Sequence, residues 1–346
     1  VRVTLKDIAE EAGVSTMTVS NVINGNRARV SARTIAKVER IVAERGYVPS
    51  ASARSLASSS SRLIGLLMPA ADEDSLTLSP HNTAMLGQME RQLRKRDYHL
   101  ILRGISRQAE VDEALKSWNL DGAVLLGFPD REIDRLTPAT TGNVRVLAID
   151  SYSPNPLTTG VRSDDRTGAR LATAHLLALG HRRIVFAGPG FSDVGVVRER
   201  FEGFLDAHKE AGVTWDEGLL VAVGSTTYAP GLDLGTRLPE LHPGASAVFA
   251  TADILAVGII AGLVGAGVAV PAEVSVVGFD NLDIGGYVTP QLTTVEQNVQ
   301  RKAAVAVNLL VDSIEGEERP DAPVTLGVDL VERASTAPPP EPAGPA

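Results

Sequence analysis

The chain has no cysteine among its 346 residues, so a disulfide framework, a thiolate metal site and a cysteine nucleophile are all excluded. No apolar run reaches the roughly 18 residues that a membrane span needs, and no basic-flanked apolar core stands near Val1. A capped helix lies there instead of an export signal, so the expected location is the cytoplasm, with no membrane partner. Catalytic signatures are missing as well. Gly188-Pro-Gly is not followed by the Lys-Ser/Thr of a phosphate loop, and no Gly-x-Ser-x-Gly elbow occurs. His175 and His181 are six apart with no second pair at metal-ligand spacing, which fits ordinary helix-end residues. These absences argue against an enzyme, a bound metal and a resident cofactor.

What is present begins at Thr4. Thr4 with Asp7 three residues on has capping-box spacing, which satisfies orphan backbone donors and starts a helix. Leu5, Ile8, Ala9 and Ala12 then share one face, and Gly13 gives the freedom a sharp inter-helix turn needs. Ser15 is an N-cap for a second helix that points Val19, Val22 and Ile23 inward and leaves Thr16, Met17, Ser20 and Asn21 outward. A third helix follows from Ser31, with Ile35, Val38, Ile41 and Val42 inward, and stops at Gly46. Two short helices about a tight turn are the pattern of a helix-turn-helix, whose second helix lies in a DNA groove.

Charge agrees with that reading. Residues 1–62 carry ten Lys or Arg against five Asp or Glu, whereas the whole chain has 33 against 42 and a net charge of −9. A basic head on an acidic body suits phosphate binding by one end only.

Residues 50–61 are small and serine-rich with one large apolar residue, Leu56, the composition of a linker that folds only when something packs on it. From Arg62 strand and helix patterns alternate. Strands are expected at 63–68, 99–103, 122–126 and 144–149, then at 183–187, 219–223, 247–250 and 274–279. Helices are expected at 85–96, 110–118, 168–179, 197–210 and 253–265. The fold class is therefore α/β: parallel sheets in two lobes, with a ligand cleft at the carboxyl ends of the strands. The residues from Ser335 onward, rich in Pro and Ala, are expected to be disordered and lack the heptads of a coiled coil.

Three stretches carry a family resemblance: Val3-Thr-Leu-Lys-Asp-Ile-Ala-Glu-Glu-Ala-Gly-Val-Ser-Thr-Met-Thr-Val-Ser, Gly46-Tyr-Val-Pro-Ser-Ala-Ser-Ala-Arg-Ser-Leu, and Val276-Val-Gly-Phe-Asp-Asn. Across nearly its whole length the chain resembles the lactose-repressor (LacI/GalR) family of bacterial transcription regulators, its head and hinge being nearest the purine-repressor branch. The resemblance implies a helix-turn-helix head (1–49), a hinge helix (50–61), and a periplasmic-binding-protein-like body (62–337) for effector binding and dimerisation. Within the body it implies an N-lobe of about 62–161 and 290–322, and a C-lobe of about 162–289 and 323–337, before a disordered tail (338–346).

The partners implied are a near-palindromic double-stranded operator, a second copy of the chain and a small effector, most simply a sugar. Candidate DNA contacts are Thr4, Ser15, Thr16, Met17, Thr18, Ser20, Asn21, Asn24 and Arg29, with Ala53, Arg54 and Leu56 in the hinge. Met17 offers apolar contact to a thymine methyl, Asn21 pairs with an adenine edge or touches phosphate, and Leu56 wedges into the minor groove. Candidate effector contacts are His81, Asn82, Asp150, Arg200, Asp253 and Asp280. A carboxylate accepting from adjacent hydroxyls, and a guanidinium donating to others, suits a polyol. Asp253 has a second reading as a helix cap, because Ala252 stands where relatives carry an amide. Tyr152, Phe191 and Tyr228 are candidate apolar walls. Two other functions stand beside it: a corepressor-dependent regulator, since head and hinge do not specify the sign of the effector's action, and a sugar-binding protein without gene control, which has no use for a basic head.

Overall fold

The computed structural model describes residues 3–23, 25–47, 60–70, 76, 78–190 and 194–341. Asn24, Phe191 and the hinge candidates Ala53, Arg54 and Leu56 lie outside the described residues. The chain divides into two compact units that meet between Arg62 and Leu63.

The first unit holds three helices, α1 (Leu5–Ala12), α2 (Thr16–Ile23) and α3 (Ala32–Glu44), with a short 3-10 turn at Arg27–Arg29. Gly13 ends α1 with φ 66°, a left-handed conformation that glycine adopts without steric cost. Ile8, Val19, Val22, Val38 and Ile41 are buried against one another and against Tyr47. Each such side chain stabilises the bundle by about 1.5–3 kcal/mol. Ile23, Ile35 and Val42 are only half-buried at its margin.

The second unit holds two six-stranded sheets. The first, in the order β11-β5-β4-β3-β1-β2, is built from β1 (Leu63–Pro69), β2 (His99–Ile105), β3 (Gly122–Leu126), β4 (Arg145–Ile149), β5 (Thr158–Ser163) and β11 (Val324–Leu326). The second, in the order β12-β10-β9-β8-β6-β7, is built from β6 (Ile184–Pro189), β7 (Leu220–Val223), β8 (Ala247–Ala250), β9 (Ser275–Asp280), β10 (Thr293–Glu296) and β12 (Asp329–Val331). All pairings are parallel except that of β12 with β10. Apolar clusters pack on the sheets, and central strands such as β3, β8 and β9 are buried throughout.

The lobe boundaries differ from the expected ones. Arg162 and Ser163 belong to β5 of the first sheet, β10 lies in the second sheet, and β11 returns to the first. The chain therefore crosses between lobes after 163, after 296 and after 326, rather than near 161, 290 and 322. Polarity hid β10: Thr293 and Thr294 are fully buried, their hydroxyls taken up by Thr336 and Asp253. The helices Tyr228–Leu241 and Val299–Ile314 were likewise not anticipated. The former meets Asp253–Gly265 so closely that a Cβ on Gly235 would lie 2.2 Å from the Ile259 carbonyl oxygen.

The expected disorder from Ser335 is also corrected. Ser335 is fully buried, its hydroxyl donating to the Val276 carbonyl at 2.6 Å and accepting from the Thr293 amide at 2.8 Å. The Ala337 amide donates to Ser275 Oγ at 3.0 Å, and its carbonyl lies 2.9 Å from Nε2 of the buried His181. Hydrogen bonds to two strands hold this segment, which composition alone does not reveal. Residues 338–341 are also described, so only 342–346 of the proposed tail lie outside the description.

Candidate functional site

The head presents one polar face and keeps most of its carboxylates occupied. Thr4 Oγ1 donates to Asp7 at 2.8 Å and accepts from the Asp7 amide at 3.3 Å, the capping box read from the sequence. Backbone and side-chain hydrogen bonds from Thr4 lower the Asp7 carboxyl below its ordinary range. Ser15 Oγ accepts from the Thr18 amide at 3.1 Å and lies 2.9 Å from Thr18 Oγ1, so both residues are committed to starting α2. Thr16 and Met17 project outward at its first turn, Met17 with 68% exposure, and Ser20 and Asn21 follow one turn later. Thr16 with Ser20 and Met17 with Asn21 are thus two neighbouring rows on one helix face.

Glu10, Glu11, Glu39 and Glu44 pair with Lys6, Arg45, Arg27 and Arg40 respectively. Arg29, Arg33 and Lys37 are exposed and have no acidic partner among the described residues. Uncompensated positive charge is therefore concentrated on these three side chains. Arg33 and Lys37 were missed in the sequence, although their four-residue spacing on α3 already places them on one face.

The body contains a cavity of about 720 Å³ at the carboxyl ends of both sets of strands. His81 and Asn82, from the first turn of the helix Pro80–Lys95, line it with Asp150, Arg200 and Asp280. Five of the six sequence candidates are thereby brought together. Asp253 is not. It is fully buried beneath the wall, accepting from the Thr294 hydroxyl at 2.5 Å and from the Leu282 amide at 2.8 Å. Burial, and then the charge of Asp280, raise its carboxyl to about 7. Neither effector contact nor N-cap describes Asp253, since Ala252 holds the cap position.

Charged side chains around the cavity are tied to one another. Arg200 Nε donates to Asp165 Oδ1 at 2.9 Å, Nη1 donates to the Thr251 carbonyl, and the guanidinium stacks 3.7 Å above the Phe279 ring. Burial pushes the Asp165 carboxyl up, only partly offset by Arg200. Lys302, fully buried, donates to Asp150 Oδ1 at 2.7 Å and to Gln297 Oε1 at 2.5 Å. Gln297 Nε2 in turn donates to Asp280 Oδ1 at 2.5 Å, and Ser163 Oγ donates to Gln297 Oε1 at 3.0 Å. Gln297 therefore joins one crossing segment to another and to a cavity carboxylate.

Three buried polar atoms on lining residues have no hydrogen-bond partner among the described residues: His81 Nδ1, Asp130 Oδ2 and Thr251 Oγ1. His81 Nδ1 is 3.7 Å from Asp280 Oδ1, too long for a hydrogen bond. The other oxygen of Asp130 accepts from Ser151 Oγ at 2.6 Å and from the Tyr152 amide at 2.9 Å, which fixes the carboxylate. Buried groups left this way cost stability unless a bound molecule satisfies them. Asp130, Thr251 and Gln297 were not foreseen. Thr251 was legible, standing one residue beyond an expected strand; Gln297 followed a strand that was not recognised. Of the expected apolar walls, Tyr152 and Tyr228 do not line the cavity, whereas Phe128, Leu126 and Ile254 do. Tyr152 instead donates to Asp165 Oδ2 at 2.9 Å beneath the Arg162 guanidinium.

Among the described residues no group of three His, Asp or Glu side chains is placed to hold a metal ion, and no helix is long and apolar enough to cross a membrane.

Comparison with known proteins bears on both sites. Residues 4–50 match the bacterial regulatory proteins of the lacI family, and residues 173–336 match a periplasmic binding protein-like domain. The chain is 32% identical over 341 residues to the ribose operon repressor of Escherichia coli (strain K12), covering 96% of this chain and 99% of that one. It is 30% identical over 337 residues to the HTH-type transcriptional repressor PurR of Photobacterium profundum, covering 96% and 98%. Among solved structures, the lac repressor dimer bound to operator and the anti-inducer ONPF matches with a TM-score of 0.84 at 25% identity, covering 97% of this chain and 100% of that one.

Proposed function

The chain belongs to the lacI family of bacterial regulatory proteins, and from that premise we propose that it is a cytoplasmic, homodimeric transcriptional repressor whose hold on its operator is released by a neutral sugar. The observation that carries the DNA reading is the exposed Met17, with the half-buried Asn21 beside it on α2, in a head whose Arg29, Arg33 and Lys37 have no acidic partner among the described residues. In this reading the cations hold phosphates and set the register, while Thr16, Met17, Ser20 and Asn21 read base edges. Leu56 enters the minor groove between two hinge helices, with Ala53 and Arg54 beside it. Exposed Leu232, Leu241, Val264 and Tyr287 on the second lobe face the other copy.

The effector class follows from the cavity. Asp130, Asp150 and Asp280 crowd its wall with acceptors, and the cations Arg200 and Lys302 are already bound to Asp165 and Asp150. A phosphate or carboxylate ligand meets like charge there, whereas a polyol supplies donors to these oxygens and an acceptor to Thr251 Oγ1. Sugar binding then favours one relation of the two lobes over the other, and the heads lose their common register. Coupling of this kind amounts to about 1–3 kcal/mol, or roughly 5- to 150-fold in operator affinity.

A second reading, in which the ligand strengthens DNA binding, is favoured by the 30% identity to a repressor named for purines. One experiment separates the two. Genomic fragments are selected by the purified protein at about physiological salt, with and without a panel of neutral sugars and purines. A palindrome recovered without ligand and lost with one sugar supports induction. Recovery only in the presence of a purine replaces it with corepression, and absence of enrichment under every condition refutes DNA-based regulation.

A further inference from the structure

A second cavity, of about 550 Å³, opens on the second lobe beside the amino end of β7, away from the carboxyl ends of the strands. Phe201, Leu205, Val213, Trp215 and Leu220 wall it, and His208 lies against them with 2% of its surface exposed. This is where a chain with only 4% aromatic residues concentrates them: Phe201 and Phe204 each meet Trp215 edge to face, and the His208 ring lies 4.4 Å from that of Phe204.

His208 is the feature that packing leaves unexplained. Its Nδ1 is 2.9 Å from the Phe204 carbonyl oxygen, which can only accept, so Nδ1 carries the hydrogen. Nε2 of the neutral ring then holds an unshared pair, is buried, and has no partner among the described residues. Burial lowers the imidazole's affinity for a proton, so the ring stays neutral and Nε2 stays an acceptor. At the rim Lys209 and Glu217 offset one another, leaving no net charge to attract an ion.

We propose that this cavity is a second ligand site, which takes a small neutral aromatic molecule bearing one N–H or O–H donor, of the phenol or indole class. The flat body lies in the cavity against the Phe201 and Trp215 rings, which already touch each other edge to face, and the donor is directed to His208 Nε2. The site is separate from the sugar cavity: His208 lies eight residues beyond Arg200 on the same helix, about 12 Å along its axis. It does not depend on the chain being a repressor.

The test is a titration of the full-length protein carrying Trp118→Phe, so that Trp215 is its only tryptophan, with phenol and with toluene, which has the same shape but no donor. Saturable change in Trp215 emission is expected, with phenol bound about tenfold more tightly than toluene. His208→Phe brings phenol to the level of toluene, and Leu205→Phe, which fills the cavity without adding a tryptophan, removes both. Equal affinity for phenol and toluene in the unaltered site, or no saturation, overturns the proposal even if His208→Phe does not fold. Unchanged phenol binding in a folded His208→Phe or Leu205→Phe protein overturns it as well.

Discussion

Lys302→Met probes the charge network that joins the lobes. The lysine side chain is fully buried, and its partner Asp150 keeps only 16% of its side-chain surface in contact with solvent. Methionine replaces most of the stem, so the main loss is the charge that Asp150 faces at 2.7 Å. An uncompensated buried carboxylate costs about 3–5 kcal/mol. The pH dependence follows from the shifts. In the native protein burial alone pushes the Asp150 carboxyl up, but Lys302 and then His81 pull it further down, to a net position below its ordinary value. Such a carboxyl contributes stability that is present above the unfolded pKa of about 3.9 and is lost as pH falls through the lower folded value. Without Lys302 burial dominates, the carboxyl rises above its ordinary value, and the penalty is full at neutral pH and relieved by acid. Urea unfolding at about pH 7 and pH 4.5, followed at Trp118 in the first lobe and Trp215 in the second, measures this. The expected loss is about 3–5 kcal/mol at neutral pH, smaller by at least about 1 kcal/mol in acid. Asp150→Asn in the same chain recovers most of it. A neutral-pH loss under about 1 kcal/mol, or one equal at both pH values, refutes the reasoning.

Four other outcomes are expected. Met17→Ala and Asn21→Ala each cost about 1–3 kcal/mol of discrimination at one operator position, read by anisotropy titrations against single-base variants at fixed salt. Removing Arg29, Arg33 and Lys37 together weakens binding to all sequences alike and reduces the salt slope by about 3, whereas an unchanged slope excludes them as phosphate contacts. Thr251→Val and Asp130→Asn weaken sugar binding in calorimetry by about tenfold each while operator affinity without sugar stays constant; an operator defect instead makes them structural. Asp253, raised to about 7, takes up a proton on folding between its unfolded value and that point, so body stability falls as pH rises across the interval. Asp253→Asn keeps partners for Thr294 and Leu282 and flattens this fall; an unaltered pH profile contradicts the raised carboxyl.

Much of the head was legible because its signals are local. Capping pairs, a turn glycine and four-residue spacing fix α1 to α3 without reference to anything distant. The body's central strands were legible for the same reason, as short apolar runs between helical stretches. The edges were not. β10 is two buried threonines whose partners lie about forty residues away on either side, at Asp253 and Thr336, so its burial is a tertiary fact. Asp253 was misread because its neighbours along the chain suggest a cleft or a cap, while Thr294 and Leu282 hold it under the wall. Lys302 went unremarked, although it lies four and eight residues before Ala306 and Leu310 on the inward stripe of its helix.

Three crossings between the sheets mean that neither lobe is a continuous piece of chain. The helix Val299–Ile314 and β11 complete the first lobe only after most of the second has been made. During synthesis the apolar face formed by Ile64, Leu66, Val124 and Leu147 has to wait for Ala303, Val307 and Leu310, with the intervening lobe emerging in between. Interrupting translation before residue 299 thus strands a sheet with one side bare. Isolating the first lobe requires joining its separated segments in a rearranged gene, because no single cut of the natural reading order releases it whole.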